Sequence, residues 1–287
     1  MTESSAQPPH DHDGHFHPHP PFAPAYVEYR PRVPHLSGLA MPGAVFLSTG
    51  SARTGSDLRL VLTGFTIISL GGLASALGYV IMALTGLAPH GVPLPALFLH
   101  VASPGEVPYF GLWQAGFQVV VFLSFLLVLR ASPLAGYHAA EHMTVACIET
   151  YGDITEEWVR RMPRAHKRCG TNLLAGVLPG MIVGVPLWGI SPFLAAAIAV
   201  LGWMARMQFG WFIQQFFTTK PPSEKQLAAG IRAGRNILHQ WRLNPDPQLT
   251  TLQRIWLRGL PQMIVGVIIG YNAVGFVSEH LHLWLDW

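Results

Sequence analysis

His138, Glu141 and His142 stand in the spacing H-x-x-E-H. On a helix, His138 and His142 lie one turn apart on one face, where two imidazoles can share a metal ion. Glu141 is rotated off their common axis. It is placed to take a proton from water activated by such an ion, as the general base of a zinc hydrolase does. Glu149 follows His142 by two helical turns and returns to the same face. It offers a third ligand or a carboxylate that orients a ring. His166 and Cys169, three positions apart, add an imidazole and a thiol. These donors suit a divalent metal of the zinc type. His138 and His142 are its expected ligands, Glu141 is the expected catalytic group, and His166, Cys169 or Glu149 completes the coordination. A helical His pair also occurs without metal, so a non-catalytic protein with a structural metal or partner-binding cluster is the alternative reading. Cys147 falls off the ligand face and reads as packing. Two cysteines are too few for a disulfide framework.

The element that must carry this chemistry starts at Ser132-Pro133, with proline at a favoured first helical position. It should run to Glu149. Around it the 287-residue chain is 50% hydrophobic and only 11% charged, against roughly 25% charged in a soluble domain. That deficit excludes a disordered chain and points to the bilayer as solvent. No basic patch interleaved with aromatics is present, so a nucleic-acid partner is not expected.

Apolar runs over residues 60–87, 107–129, 171–219 and 259–278 are long enough to cross hydrocarbon, which needs about 20 helical residues. The third is too long for one crossing and is expected to break at residues 189–192, giving five spans. Pro179, Pro186 and Pro192 also allow a kinked or re-entrant path there. In the five-span scheme every Lys and Arg except Arg206 falls on one side, which the positive-inside rule makes cytoplasmic. The C-terminus is then external. The spans hold no Asp, Glu or His, unlike those of ion-coupled transporters. Arg206 is expected to bond a carbonyl or reach toward headgroups, the alternative being a clamp on a lipid or substrate phosphate.

Residues 1–35 carry proline and six of the 14 histidines, five of them clustered at His10, His12, His15, His17 and His19, and read as a disordered tail with weak metal affinity. Residues 36–59 are an N-terminal cytoplasmic segment. After the fourth span, Ser223 and Gln226 form a capping-box pattern. Leu227, Ile231, Leu238 and Trp241 then recur at helical spacing, so residues 220–258 should hold an amphipathic helix on the cytoplasmic face or over the 130–170 loop.

At three segments the sequence resembles a bacterial membrane family, domain of unknown function 1385, usually labelled a predicted metal-dependent enzyme. They are Gly136-Tyr137-His138-Ala139-Ala140-Glu141-His142 with Glu149, His166-Lys167-Arg168-Cys169-Gly170-Thr171-Asn172, and Phe217-Thr218-Thr219-Lys220-Pro221-Pro222-Ser223 continuing to Leu227. The resemblance covers roughly residues 105–240. It implies that His138, Glu141, His142, Glu149, His166 and Cys169 are the functional residues. The family's glycine-rich N-terminal segment is only echoed by residues 37–45, and the last span and the His-rich tail depart from its pattern.

The expectation is thus an all-α, polytopic protein of the bacterial cytoplasmic membrane, its N-terminus cytoplasmic. About five spans frame a cytoplasmic loop at 130–170, and residues 259–287 form the last span and the external end. The activity expected is metal-dependent hydrolysis of a lipid-linked or peptide substrate at the membrane.

Overall fold

A computed structural model describes residues 33–86, 110–184, 187, 188, 191–245 and 247–285. The five tail histidines and the 189–190 break lie outside the described residues. The chain is mostly helical, with one departure from the all-α expectation. Residues 37–41 (β1, Ser37–Met41) and 44–48 (β2, Ala44–Ser48) form an antiparallel hairpin. Its two-residue turn is Pro42-Gly43, with Gly43 at φ +75°, where only glycine is unstrained. A Pro-Gly pair between two short apolar runs is a turn signal, but five-residue strands are too brief for periodicity to reveal.

Two long apolar helices, α1 (Asp57–Leu84) and α10 (Leu260–Leu285), pack side by side. A side chain at Gly64 would strike the Met263 backbone, and one at Gly266 the Val61 backbone, so glycines set the close approach. Contacts advance together along both helices, from Val61 with Gly266 to Gly72 with Val274. The helices are therefore parallel and begin on the same side, where Gln262 Nε2 donates to Asp57 Oδ1 at 2.7 Å. Next comes α2 (Phe110–Ala131), packed on α1. Among the described residues, α1 and α10 alone are each long and apolar enough to cross a membrane, or up to four crossings exist if each of two bent pairs counts as one.

Expected spans three and four are shorter and more broken than the apolar run suggested. A helix at Gly170–Pro179 (α5) passes into a π-turn at Gly180–Gly184. The return is Pro192–Met204 (α6), a sharp bend at Ala205, then Arg206–Ile213 (α7) and a second π-turn at Gln214–Thr218. Residues 170–184 rise about 22 Å at 1.5 Å per residue, less than the roughly 30 Å of hydrocarbon. Arg206 marks the 67° bend. Its Nη1 donates to the Trp203 carbonyl at 2.8 Å and its guanidinium lies 4.6 Å from the Trp203 ring centre, which is the structural role expected of it.

The element expected from Ser132-Pro133 is α3 (Leu134–Tyr151), bent 76° from α2. It is the most buried helix among the described residues. From Leu134 to Ile148 only His138 is even partly exposed. The short helix Glu156–Arg161 (α4) follows it. Helix α8 (Glu224–Leu243) carries the expected Ser223/Gln226 capping box and buries Leu227, Ile231 and Leu238, with Trp241 half-buried. It packs on α3 and β2, so it covers the site segment. Val45 and Leu47 of β2 join Tyr137, Ala140, Cys147, Ile148 and Leu227 in one core, confirming Cys147 as packing. Phe46 and Met41 face the other way, onto Leu60 and Met263. Helix α9 (Thr251–Leu257) leads into α10.

Candidate metal centre

The interior of α3 presents His138 and His142 with ring centres 4.2 Å apart. Each ring is held from behind by a backbone carbonyl. His138 Nδ1 lies 3.0 Å from the Thr218 oxygen and His142 Nδ1 lies 2.6 Å from the Arg164 oxygen. A carbonyl only accepts, so each Nδ1 donates to its carbonyl, and the Nε2 atoms are turned into the site, that of His138 toward Cys169 and that of His142 toward Glu141. This is the second-sphere arrangement that orients metal-ligating histidines. Thr218 supplies its carbonyl because it ends the π-turn Gln214–Thr218, and π-turns are frequent where backbone must be re-aimed at a site.

Cys169 arrives from the loop that precedes α5, where its Sγ accepts from the Thr171 amide at 3.4 Å. Its Sγ sits 3.4 Å from His138 Nε2. The donor atoms of His138, His142 and Cys169 all lie within 4.8 Å of one another. Zinc–nitrogen and zinc–sulfur bonds of about 2.0 and 2.3 Å place tetrahedral N and S ligands about 3.5 Å apart. The His138–Cys169 pair already has that spacing, and the donor set fits a zinc-type ion.

The loop bearing Cys169 is anchored by a buried amide network. The His166 amide donates to Gln214 Oε1 at 2.8 Å, and Gln214 Nε2 donates to Asn172 Oδ1 at 2.8 Å. Asn172 Nδ2 then donates to the carbonyls of His166 and Lys167 at 3.2 and 2.8 Å. Gln214 is fully buried. Thr219 Oγ1 closes the π-turn onto the Gln214 carbonyl at 2.7 Å, and Arg130 Nη1 donates to the Thr219 carbonyl at 2.7 Å. Lys220 Nζ donates to the carbonyls of Arg130, Ala131 and Ser132 at the end of α2.

Glu141 is 6% exposed, with Oε2 3.5 Å from His142 Nε2. Burial raises its carboxyl to about 8, against the opposing pull of His138. Burial, then neighbouring His138, pushes His142 well down, only partly offset by its bond to the Arg164 carbonyl. The ring is therefore neutral and ligand-competent at neutral pH. Burial pushes the Cys169 thiol up, and a cation is what draws such a thiol to thiolate.

Two of the expected ligands pair with each other instead of joining the triad. His166 Nε2 lies 3.2 Å from Glu149 Oε2, and Arg168 ion-pairs with Glu149 from the other side. His35 Nδ1 accepts from Arg168 at 2.8 Å. The His166 ring centre is 5.7 Å from that of His142, so the pair flanks the triad. The residues that sequence reasoning missed are Gln214, Asn172 and the carbonyls of Thr218 and Arg164. Asn172 and Thr218 do fall within the segments that carry the family resemblance. Backbone acceptors leave no other signal. Arg160 pairs with Glu156 and Glu224, and Arg161 with Glu157, so these cations are not free for an anionic substrate.

Neither the curated proteins nor the solved structures contain a match to this chain. A family model described as protein of unknown function (DUF1385) matches residues 71–209. That range contains His138, Glu141, His142 and Cys169, and excludes the hairpin and Gln214. Over residues 71–209 the chain is therefore similar to the DUF1385 family of proteins of unknown function.

Proposed function

We propose that His138, His142 and Cys169 hold a divalent, zinc-type ion and that the protein is a metal-dependent hydrolase of the membrane–cytoplasm interface. One observation carries the reading: two Nδ1-anchored imidazoles turn their Nε2 atoms into a site shared with a thiol and a buried carboxyl. Three protein donors leave one further position, as catalytic zinc requires and structural zinc lacks. When bound, the ion supplies Lewis acidity that makes water ionisable near neutral pH. A bound cation would draw the buried Glu141 carboxyl to carboxylate, which would then accept that proton and return it to the leaving group. Gln214 and Asn172 hold the Cys169 loop against α3.

The membrane placement rests on the apolar helices and on the one-sided Lys and Arg. These features support a site at the cytoplasmic face of a bacterial inner membrane, with the C-terminus external, and that location favours a lipid-linked or peptide substrate. The non-catalytic reading has one observation in its favour: His166 is close enough to His142 for a small rearrangement to close the coordination with a fourth ligand.

Metal analysis of the full chain beside its His138→Ala and Cys169→Ala variants tests the proposal. The tail histidines contribute equally to all three, so the site should appear as a difference of about one equivalent. No difference would end the hydrolase reading. Glu141→Gln should keep the ion and fail to complement a strain lacking the gene. Full complementation by that variant would favour the structural reading.

A further inference from the structure

The hairpin leaves one backbone edge open beside Glu141. Strand β1 pairs with β2 on one side only. A two-residue turn makes Met41 and Ala44 the closing hydrogen-bonded pair, and bonded and non-bonded pairs then alternate along the ladder. Gly38 opposite Leu47 and Ala40 opposite Val45 are thus the non-bonded pairs, with N–H and C=O directed away from the partner strand. Leu47 verifies the phase. Its N–H donates to Thr54 Oγ1 at 2.8 Å and its carbonyl accepts from the Thr54 amide at 2.9 Å, both on the side away from β1. By the same phase, Gly38 and Ala40 direct their backbone groups to the outer edge. Among the described residues nothing bonds to them there.

Open edges are normally blunted by charge, proline or a bulge. Ser37-Gly38-Leu39-Ala40-Met41 has none of these, and Ser37 and Gly38 are exposed. The edge also lies at the candidate site. A side chain at Gly38 would overlap the Glu141 carboxylate, so the strand passes the proposed general base in backbone contact. The absence of a side chain at position 38 is what lets both occupy that space. On its opposite face the hairpin rests on Leu60 and Met263, at the first turns of the two long apolar helices.

We infer that the outer edge of β1 docks an extended polypeptide segment as an added strand, and that the substrate of the Glu141 site is a peptide in extended form. The unsatisfied groups are alternating amide donors and acceptors at strand spacing. Another peptide backbone complements that pattern; a lipid chain or a sugar does not. The chemical part of this inference rests on the hydrolase reading. Hydrolysis consumes one water, forms a carbon–oxygen bond at the peptide carbonyl and breaks the carbon–nitrogen bond, and Glu141 carries the water's proton to the departing amine. Docking itself needs no metal.

The test uses the full chain in nanodiscs and a pool of random decapeptides carrying a central benzophenone side chain. After irradiation, cross-links should map to residues 37–41 and to α3 near Glu141. Ala40→Pro removes one outward N–H without touching the β1–β2 ladder and should lower capture about tenfold, the value of one backbone hydrogen bond. The same pool N-methylated at alternate positions should not be captured by the unaltered protein, which keeps the test independent of the variant's folding. Cross-links elsewhere, equal capture of the N-methylated pool, or peptide-free cross-linking of two copies through β1 would each overturn the inference. His138→Ala with metal content measured on the same sample separates the two claims. Loss of metal with capture retained leaves docking intact, and capture that disappears with the metal refutes docking by the edge.

Discussion

Cys169 Sγ lies 3.4 Å from His138 Nε2, although the thiol comes from a loop and the imidazole from the middle of a buried helix. Each residue is also held by bonds of its own or of its loop. His138 is tied to the Thr218 carbonyl, and the Cys169 loop is tied through His166 and Asn172 to Gln214. The π-turn Gln214–Thr218 thus touches both sides of the site. A donor triad held this way is preorganised, and what a ligand gains from preorganisation is paid for in folding.

Gln214→Ala therefore tests the scaffold apart from the donors. It removes a fully buried amide from a chain of hydrogen bonds and leaves the His166 amide and Asn172 Oδ1 unsatisfied. Loss of about 1–3 kcal/mol of stability is expected. Because Gln214 acts behind the ligands, metal affinity should also fall by about 10- to 100-fold. Thermal unfolding and chelator competition on the same preparation check both. Gln214→Glu keeps an Oε acceptor for the His166 amide and should recover part of the affinity. Unchanged affinity in the alanine variant would detach the network from the site.

Glu141 gives a pH dependence with a definite sign. Its carboxyl is raised in the folded chain from the usual range near 4.5 to about 8, first by burial. Between those values the unfolded chain has released the proton and the folded chain still holds it. The stabilising contribution of the buried acid is complete below the unfolded pKa and is lost as pH rises toward the folded one. Metal-free protein should therefore lose Tm between about pH 5 and pH 8 more steeply than metal-free Glu141→Gln. A bound cation favours the carboxylate, so metal should flatten the wild-type slope. Parallel slopes with and without the substitution would remove Glu141 from the account.

Glu149 and His166 make the contrasting pair. They bond each other beside the triad and Arg168 caps the carboxylate. Glu149→Gln should retain the full metal complement, with affinity changed by less than about tenfold, as for a group outside the donor set. Chelator competition reads this directly. A complete loss of the site's metal would mean that Glu149 is itself a ligand and that the triad is incomplete.

How much of this was legible in the sequence follows the range of the interactions. The His138–His142 face depends only on helical pitch, and Ser223 with Gln226 depends only on a local cap, so both could be read from spacing. The choice among Glu149, His166 and Cys169 could not. It is decided by how the 166–169 loop closes, and that is set by Gln214, 48 positions beyond His166. The break in the apolar run from 171 to 219 was visible as prolines. The two π-turns and the bend at Ala205 that shorten its helices were not, and the close approach of Gly176 and Gly180 to Trp203, Arg206 and Ala199 joins residues distant in sequence. The hairpin escaped because its strands are short and its partner surfaces, α3 on one side and Leu60 with Met263 on the other, are distant in sequence.

The parallel run of α1 and α10 makes the final prediction. Both helices begin beside the hairpin layer, where Asp57 and Gln262 are bonded and Phe46 packs with Leu60. If both cross the bilayer, their far ends emerge together on the side away from the triad. A reporter fused after Trp287 and a cysteine placed at Gly86 should then be external. A cysteine at Asp153, just past the end of α3, should be cytoplasmic. Labelling with a membrane-impermeant maleimide before and after lysis distinguishes the two sides. Labelling of position 153 in intact cells would invert the orientation drawn from the Lys and Arg distribution and move the site outside. Opposite sides for position 86 and the Trp287 fusion would show that α1 and α10 do not both cross, and the two-helix core would have to be re-read as a hairpin-capped surface element.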